Sequence, residues 1–494
     1  MLIKTAALSL SVQLADRFAE RIESRLLAPG VRLPSVRECA RTQGVSCATV
    51  VAAYDRLTAQ GLLEAKANRG FFVRSPPSPP GVAARDPAGR PAFGRHPPVD
   101  AAALMRGMLG GPDDRLQPGM GTLPPSWLEV DFLSAALRRQ IAPKALQAMS
   151  SHYGDPAGDA GLRGALAGRL GTLSIDATPA QLITTVGATQ GLDIVSRTLL
   201  AAGDCVMVEE PGWAIEFARL ASLGMRILPV PRGADGPDFS VMARYCETHA
   251  PKLFVSVSVL HNPTGASLAP HAAHRLLQLA TQHNFHVMED DTYSHLAPAH
   301  ATRLAALDGL NRCIYVSGFA KILAPNWRVG YIAAPAALVP RLLQTKLLST
   351  LTTPALLERA LAWCIERGQL RRHADRMRSR LDQARGRSVR LAIGAGCRFA
   401  AEPAGLFGWV DTGVDTDVLA QTMLDDGYLL APGALFHAVQ RPSTLMRINF
   451  ATTQDAAFWR VFRERVDAMR HVVGARADAA AANAARAALA RSSP

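Results

Sequence analysis

The sequence predicts a multi-domain chain: a small basic unit of capped helices and a hairpin, then a large α/β unit around a mostly parallel sheet. Three observations carry this. Ser75 to Pro98, SPPSPPGVAARDPAGRPAFGRHPP, is too rich in proline for helix or sheet, because proline lacks a backbone donor and locks φ. Before it, two helical periodicities flank a tight glycine turn. After it, near-continuous apolar runs alternate with helical stretches from about Trp127 to His471.

The size allows such a division. The chain has 494 residues, and domains usually run to roughly 100–200. Apolar residues make up 48% and charged residues 19%, enough for a large core, which excludes a mostly disordered chain. Mean hydropathy is +0.07. No apolar run approaches the roughly 20 residues that span a bilayer, so no membrane partner is expected. Asp16, Arg17 and Glu20 come too early for a signal peptide. Seven scattered cysteines form no C-x-x-C pair; neither a disulfide framework nor a metal site is expected, and a reducing cytoplasm fits. Net charge is +13. Residues 1–74 hold eleven Lys/Arg against six Asp/Glu, which makes the small unit the denser positive region and favours a polyanionic partner. We place the small unit at 1–74, the linker at 75–115, the large unit at 116–473 and an Ala/Arg-rich tail at 474–494.

In the small unit, Phe18, Ile22 and Leu26 recur at helical spacing between Arg17 and Leu27, and Pro29-Gly30 ends that helix. Ser35 caps a short helix with Val36 and Cys39-Ala40 inward, closed by Gly44 in the left-handed region. Ser46 caps a second helix bearing Val50, Ala53, Tyr54 and Leu57, which ends at Gly61. LLEAKANRGFFV reads as a hairpin with Asn68-Arg69-Gly70 at its tip. Helix, glycine turn, helix and hairpin make a helix-turn-helix with a wing. Alone, the same pattern also describes a small helical bundle with no DNA to bind.

The ordered residues Arg32-Leu33-Pro34-Ser35-Val36-Arg37, Gly44-Val45-Ser46, Ala48-Thr49-Val50, Tyr54, Leu57, Gly61-Leu62, Gly70 and Phe72-Val73 closely resemble the winged helix-turn-helix of the GntR regulators. The resemblance implies double-stranded operator DNA as partner, with the second helix in the major groove. It implies DNA contacts from Arg37, from Ser46 and Thr49 at the start of that helix, and from Arg69 and Gly70 at the wing. Relatives usually carry arginine between Ser46 and Ala48; this chain has Cys47, so a long cationic reader is missing. With no adjacent basic residue to activate it, Cys47 reads as an inert small side chain.

Five motifs mark the large unit. VSGFAKILAPNWRVGY places Lys321 after a buried strand end, with Arg328 seven residues on. A buried ammonium is costly unless it is paired or reacts; condensation with a carbonyl cofactor removes that cost, and Arg328 would clamp the phosphate. VMEDDTYSHL ends a strand in Glu289-Asp290-Asp291, where α/β ligands bind, and Asp290 suits a protonated pyridine nitrogen. LHNPTG supplies Asn262 for a ring oxygen. TTVGATQGL opens a helix at Gly187-Ala188-Thr189, whose free N–H groups suit phosphate. EEPGWA supplies Trp213 to stack on a flat ring. Taken singly, each has an ordinary reading as surface cations, an acidic loop, a turn or a core tryptophan.

Taken in order, from about Gly119 to Arg470, they resemble the fold-type I aminotransferases. That resemblance implies pyridoxal 5'-phosphate as cofactor, with Lys321 as the catalytic Schiff-base lysine. Asp290 would pair with the pyridine nitrogen, Asn262 and Tyr293 with the ring hydroxyl, and Trp213 would stack. Ala188, Thr189 and Arg328 would hold the phosphate. Arg447, in LMRINFA, matches the arginine that grips a substrate α-carboxylate. Tyr153 matches a tyrosine that reaches the neighbouring subunit's cofactor, which implies a homodimer. Relatives often place Ser or Thr three residues before the lysine and Ser just before it, where this chain has Gly318 and Ala320; Ser317 is shifted by one position.

The two halves and their linker together resemble the MocR regulators. This implies a pyridoxal-phosphate-dependent transcription factor, cytoplasmic and homodimeric, that senses an amino compound or the cofactor itself. The alternative is a working aminotransferase that carries a DNA-binding unit, since the residues expected for transamination are all present.

Overall fold

The computed structural model describes residues 8–23, 27, 30, 32–66, 69–74, 117–128, 131–439 and 441–471. The linker expected at 75–115, the tail expected at 474–494 and Asn68 of the hairpin tip lie outside the described residues. The chain divides into two compact units, Met1–Asp114 and Arg115–Pro494.

In the first unit, helix α1 (Leu10–Glu23) precedes α2 (Val36–Gln43) and α3 (Cys47–Ala59), and strands β1 (Leu63–Lys66) and β2 (Gly70–Val73) pair antiparallel. Both expected caps form. The Ser35 side chain accepts from the Glu38 N–H and that of Ser46 from the Thr49 N–H, while Gly44 turns the chain at φ 65°. The first helix is corrected: it begins at Leu10 rather than Arg17 and ends before Leu27. Its buried face is Leu14, Phe18 and Ile22, four apart, and Leu27 is buried beyond its end. These side chains pack on Val50, Ala53, Tyr54 and Leu57 of α3. Tyr54 is the keystone. It meets Phe18 and Phe71 edge-on at 5.7 and 5.0 Å, and its hydroxyl donates to the Pro34 carbonyl at 3.0 Å. Truncating such a side chain to alanine costs about 3–5 kcal/mol, a large part of what holds so small a unit.

The second unit runs α4 (Asp131–Gln140), α5 (Pro143–Ser150), α6 (Ala160–Gly171), β3 (Leu182–Thr185), α7 (Gly187–Leu199), β4 (Cys205–Glu210), α8 (Ala214–Ser222) and β5 (Arg226–Pro231). It continues α9 (Phe239–His249), β6 (Leu253–Ser256), α10 (Pro270–Gln282), β7 (His286–Asp290), α11 (Leu304–Asp308), β8 (Cys313–Gly318) and β9 (Gly330–Ala333). Helices α12 (Val339–Thr350), α13 (Ala355–Glu366) and α14 (Gln369–Gly394) lead to a second layer of β10 (Arg398–Phe399), β11 (Phe407–Asp411), α15 (Thr416–Asp425), β12 (Ala431–Pro432) and β13 (Leu445–Asn449).

The main sheet has seven strands in the order β3-β9-β8-β7-β6-β4-β5. All neighbours are parallel except β9, which runs antiparallel to β3 and β8. Apolar runs in its strands serve two cores. Along β8, Cys313 and Tyr315 join one cluster while Ile314 and Val316 join the other; along β6, Phe254 separates from Leu253 and Val255 in the same way. A strand buried on both faces needs no polar alternation. The β10-β11-β13-β12 sheet is antiparallel and carries Arg447 on β13. Among the described residues, no helix is long and apolar enough to cross a membrane.

Candidate functional site

Strand direction gathers the large-unit motifs. The C-terminal ends of β3, β6, β7 and β8 lie at one edge of the sheet, where side chains and helix N-termini converge on a ligand. Lys321 lies three residues past the end of β8. Its Nζ donates to the Gly121 carbonyl at 2.7 Å and sits 5.8 Å from the Tyr293 ring centre. Burial, then the positive charge of Arg447, bring its ammonium down to about 8, with Asp290 opposing. A lysine so placed offers a neutral, nucleophilic amine from about pH 8 upward, well below the usual range.

Of the three consecutive acids, two are structural. The Glu289 carboxylate caps α11, accepting from the N–H groups of Leu304 and Ala305 at 2.7 and 2.8 Å. Asp291 pairs with Arg303 at 2.7 Å and accepts from the Tyr315 hydroxyl at 2.9 Å. Strand alternation puts Asp290 on the opposite face from Glu289, toward Lys321 and Tyr293. It accepts from the Thr292 N–H at 3.0 Å and from the Thr292 hydroxyl. Burial, with Glu216 adding repulsion, pushes its carboxyl up to about 6.

Arg447 is buried, stacked 4.5 Å from the Phe407 ring centre and 5.1 Å from that of Phe436. Its Nη1 donates to Asn262 Oδ1 at 2.7 Å and its Nη2 to the Gly119 carbonyl at 2.5 Å. Its Nε is buried with no hydrogen-bond partner among the described residues, so a donor stands ready for an acceptor the protein does not supply. Burial lowers this guanidinium to about 10. Asn262 also lies within hydrogen-bonding reach of the Tyr293 hydroxyl, whose phenol burial pushes up.

At the other end, α7 opens at Gly187 with no side-chain cap, leaving the N–H groups of Ala188 and Thr189 free to meet an anion. Arg328, in the left-handed region at φ 49°, donates to the Val186 carbonyl at 3.3 Å and is otherwise exposed. Backbone crowds this corner. A Cβ on Gly330 would sit 2.4 Å from the Gly187 carbonyl carbon, and one on Gly318 would sit 3.2 Å from the Ala188 nitrogen. Gly318, the glycine that departs from the family pattern, thus sits where a side chain would be tightly packed.

Three further expected residues take different positions. Ser317 is fully buried and donates to the Asp291 carbonyl at 2.8 Å, on the core side of β8; it is not brought to the anion corner. Trp213 is half-buried at the N-cap of α8, one turn before Glu216. Tyr153 is 85% exposed. Sequence reasoning missed the segment Gln117–Thr122, which lies over the site. Asn449, buried on β13, donates to the carbonyls of Met120 and Thr122 at 2.9 and 2.7 Å, so the backbone of this segment supplies the acceptors for Lys321 and Arg447. No side-chain motif advertises carbonyl acceptors, so nothing in the sequence marked them.

In the first unit, Arg37 lies exposed on α2 and Arg69 on the hairpin, beside Gly70 at φ 97°. The hydroxyls of Ser46 and Thr49 hydrogen-bond each other at 2.8 Å. Arg32, not anticipated, packs on the wing: a Cβ on Gly70 would sit 3.2 Å from its Nε.

Comparison with known proteins gives both halves a family. Residues 130–462 match the aminotransferase class I and II family, and residues 10–73 match the bacterial regulatory proteins of the gntR family. The probable rhizopine catabolism regulatory protein MocR of Rhizobium meliloti is 30% identical, over 74% of this chain and 73% of that protein. The chain belongs to the MocR-type regulators. Similarity extends over 89% of this regulator and 94% of the HTH-type transcriptional regulator YdcR of Escherichia coli, at 29% identity. Among solved structures, the α-aminoadipate aminotransferase LysN of Thermus thermophilus, complexed with N-(5'-phosphopyridoxyl)-L-leucine, matches with a TM-score of 0.68 at 24% identity, covering 74% of this regulator and 95% of that chain. The fold is therefore the aminotransferase one, and the cofactor of that family is pyridoxal phosphate. The residues present fit it: a glycine-lined anion corner, a buried carboxylate across from a depressed lysine, and an orphaned guanidinium nitrogen.

Proposed function

We propose that this MocR-type regulator reports the occupancy of its aminotransferase-like site to operator DNA. The observation that carries the reading is the meeting of Lys321, Asp290, Tyr293, Asn262 and Arg447 at one sheet edge, on a chain whose other unit is a winged helix-turn-helix. Bound there, pyridoxal phosphate supplies an aldehyde carbon that primary amines attack and a ring that withdraws electrons.

The chain's own residues do the rest. Lys321 presents a neutral amine to the aldehyde. Asp290 holds a proton on the ring nitrogen. Asn262 and Tyr293 orient the ring oxygen, and Trp213 covers the ring. Ala188, Thr189 and Arg328 neutralise the phosphate. Arg447, held flat by Asn262 and two aromatic rings, takes the carboxylate of an amino compound through its unpaired edge. A ligand shifts DNA binding only through different affinities for two arrangements of the regulator. In the first unit, Arg37, Ser46, Thr49, Arg69 and Gly70 meet DNA. A DNA partner and seven free cysteines support the reading of a cytoplasmic protein.

The assembly is a homodimer in which Tyr153 reaches the partner's site. Tyr153 is exposed, and Leu347, Leu348 and Leu351 lie exposed at the end of α12. The test is a DNA-binding titration of the full chain with and without cofactor and a panel of amino acids. Changed affinity or footprint supports coupling; identical binding throughout overturns it. The second reading, an active aminotransferase, is favoured by the full set of Lys321, Asp290, Tyr293 and Arg447 around one site. Steady-state turnover with paired amino and keto acids decides for it.

A further inference from the structure

The first two turns of α3 present a reading surface with almost no hydrogen-bonding capacity. Cys47, Ala48, Val51 and Ala52 are exposed there, while Val50, Ala53 and Tyr54 turn into the core. Val51 is 41% exposed, a large aliphatic side chain left facing out on a helix whose inner face is already filled. The hydroxyls that stand at its edge, Ser46 and Thr49, hydrogen-bond each other, and Ser46 also caps the helix, which leaves the pair one O–H to offer DNA. Charged side chains begin only outside this patch, with Arg37 on α2, Arg69 on the hairpin, and Asp55 and Arg56 a turn further along α3.

A helix that enters the major groove meets four kinds of base-pair edge. Every edge there carries hydrogen-bond donors and acceptors, and one feature is apolar: the thymine C5-methyl. Long polar side chains select guanine, adenine or cytosine by pairing with their donors and acceptors. Small apolar side chains pair with none, and leave such an edge without a partner when water is excluded. They gain only by covering a methyl group. We infer that Cys47, Ala48, Val51 and Ala52 make this unit a reader of thymine methyls, with the centre of each half-site consisting of consecutive A·T pairs. The inference rests on the DNA-binding reading above and adds the class of base that α3 selects. At 1.5 Å rise per residue, residues 47–52 advance about 7.5 Å, roughly two base-pair steps, so the apolar patch covers two or three pairs. Because α3 itself carries no cation in this patch, affinity comes from the flanking arginines and their phosphate contacts, and α3 contributes selectivity.

The test uses the full-length protein. Half-sites are first selected from a random duplex pool, and the selected thymines nearest α3 are then replaced singly by deoxyuridine, which removes the methyl and changes nothing else on the edge. Each replacement under Val51 weakens binding about fourfold, the factor that goes with one buried methylene. With Val51→Ala, an exposed substitution that leaves the core intact, the deoxyuridine penalty at that base disappears while binding to the uridine duplex stays as in the parent protein. The resulting double-mutant cycle assigns the methyl to Val51. Val51→Arg moves the preferred pair at the same place to G·C. Selected sites with G·C pairs opposite α3, or deoxyuridine binding equal to thymidine, overturn the inference and leave DNA binding standing. Selection that enriches no sequence overturns both.

Discussion

Arg328 and Gly187 close on each other: a Cβ built on Gly187 would lie 2.4 Å from the Arg328 Nη2. The glycine also stands at φ 75°, where side chains are strained. The two residues form the anion corner from opposite sides, one with backbone, the other with a guanidinium. Gly187→Ala must push the guanidinium away or unwind the start of α7. The expected result is a cofactor affinity at least about tenfold weaker, with about 1–3 kcal/mol of stability lost. Equilibrium titration of cofactor absorbance, alongside thermal unfolding, checks both. Affinity equal to the parent's would show that this corner does not hold the phosphate.

The lowered Lys321 sets a pH dependence. Its free amine, the form that attacks an aldehyde, normally predominates only above about pH 10. Here burial and Arg447 bring the group down to about 8, so linkage to the cofactor should accelerate as pH rises through 8 and level off above it. The rate of appearance of the linked chromophore, followed from about pH 6.5 to 9.5, gives the midpoint. A rate still climbing at the upper end would contradict the assignment. Lys321→Ala should bind no cofactor covalently, read by mass after borohydride reduction.

Asp290 trades stability for function. An acid whose folded value is raised is most stabilising while protonated; stability falls as pH climbs from its unfolded value near 3.8 through about 6. At neutral pH the cofactor-free protein therefore carries an unfavourable buried charge, close to Glu216. Asp290→Asn removes it and should raise the melting temperature of the cofactor-free protein, by an amount corresponding to about 1–3 kcal/mol. The same variant should lose most of the thermal stabilisation that cofactor gives the parent. A variant less stable than its parent without cofactor, yet equally stabilised by it, would show that Asp290 serves structure alone.

Motif residues close in sequence were legible; partners supplied by distant backbone were not. The caps Ser35 and Ser46 and the turn at Gly44 were read because helix ends need specific residue types locally. The strands ending in Asp290 and Gly318 were read because double burial leaves unbroken apolar runs. By contrast, β9 is four residues long and antiparallel, and its position between β3 and β8 is a property of topology. The apolar run from Leu253 to Val259 outlasts its strand: β6 stops at Ser256, where the chain leaves the sheet to carry Asn262. Ser317 is shifted by one position from the family's hydroxyl, and strand alternation turns it to the opposite side from the anion corner. The carbonyls of Gly119 and Gly121 reach Arg447 and Lys321 across 328 and 200 residues of sequence, a separation that no local pattern encodes.

The wing and α2 should supply affinity more than selectivity. Arg69 and Arg37 are exposed, and Arg32 lies against Gly70 on the hairpin. For any of these that meets phosphate, alanine substitution weakens binding to all sequences alike and lowers the salt slope of log affinity by about 1. Arg69→Ala is expected to behave in this way. A slope unchanged from the parent, with selectivity altered, would place Arg69 on a base edge instead.

Tyr153 permits a test of assembly that single-chain geometry cannot imitate. It stands 85% exposed, followed by Gly154, where a Cβ would meet the Thr353 carbonyl at 3.8 Å, near the exposed end of α12. If Tyr153 serves the partner's site, Tyr153→Ala and Lys321→Ala disable different halves of it. Mixed dimers of the two variants then hold one site with both residues intact and one with neither. Cofactor should bind to about half the sites with the parent's affinity, although each variant alone binds weakly or not covalently. Tagged co-purification isolates the mixed dimer, and absorbance titration counts the sites. If the sites in the mixed dimer remain as weak as in Tyr153→Ala alone, Tyr153 acts within its own chain or not at all, because no arrangement in trans leaves every site defective.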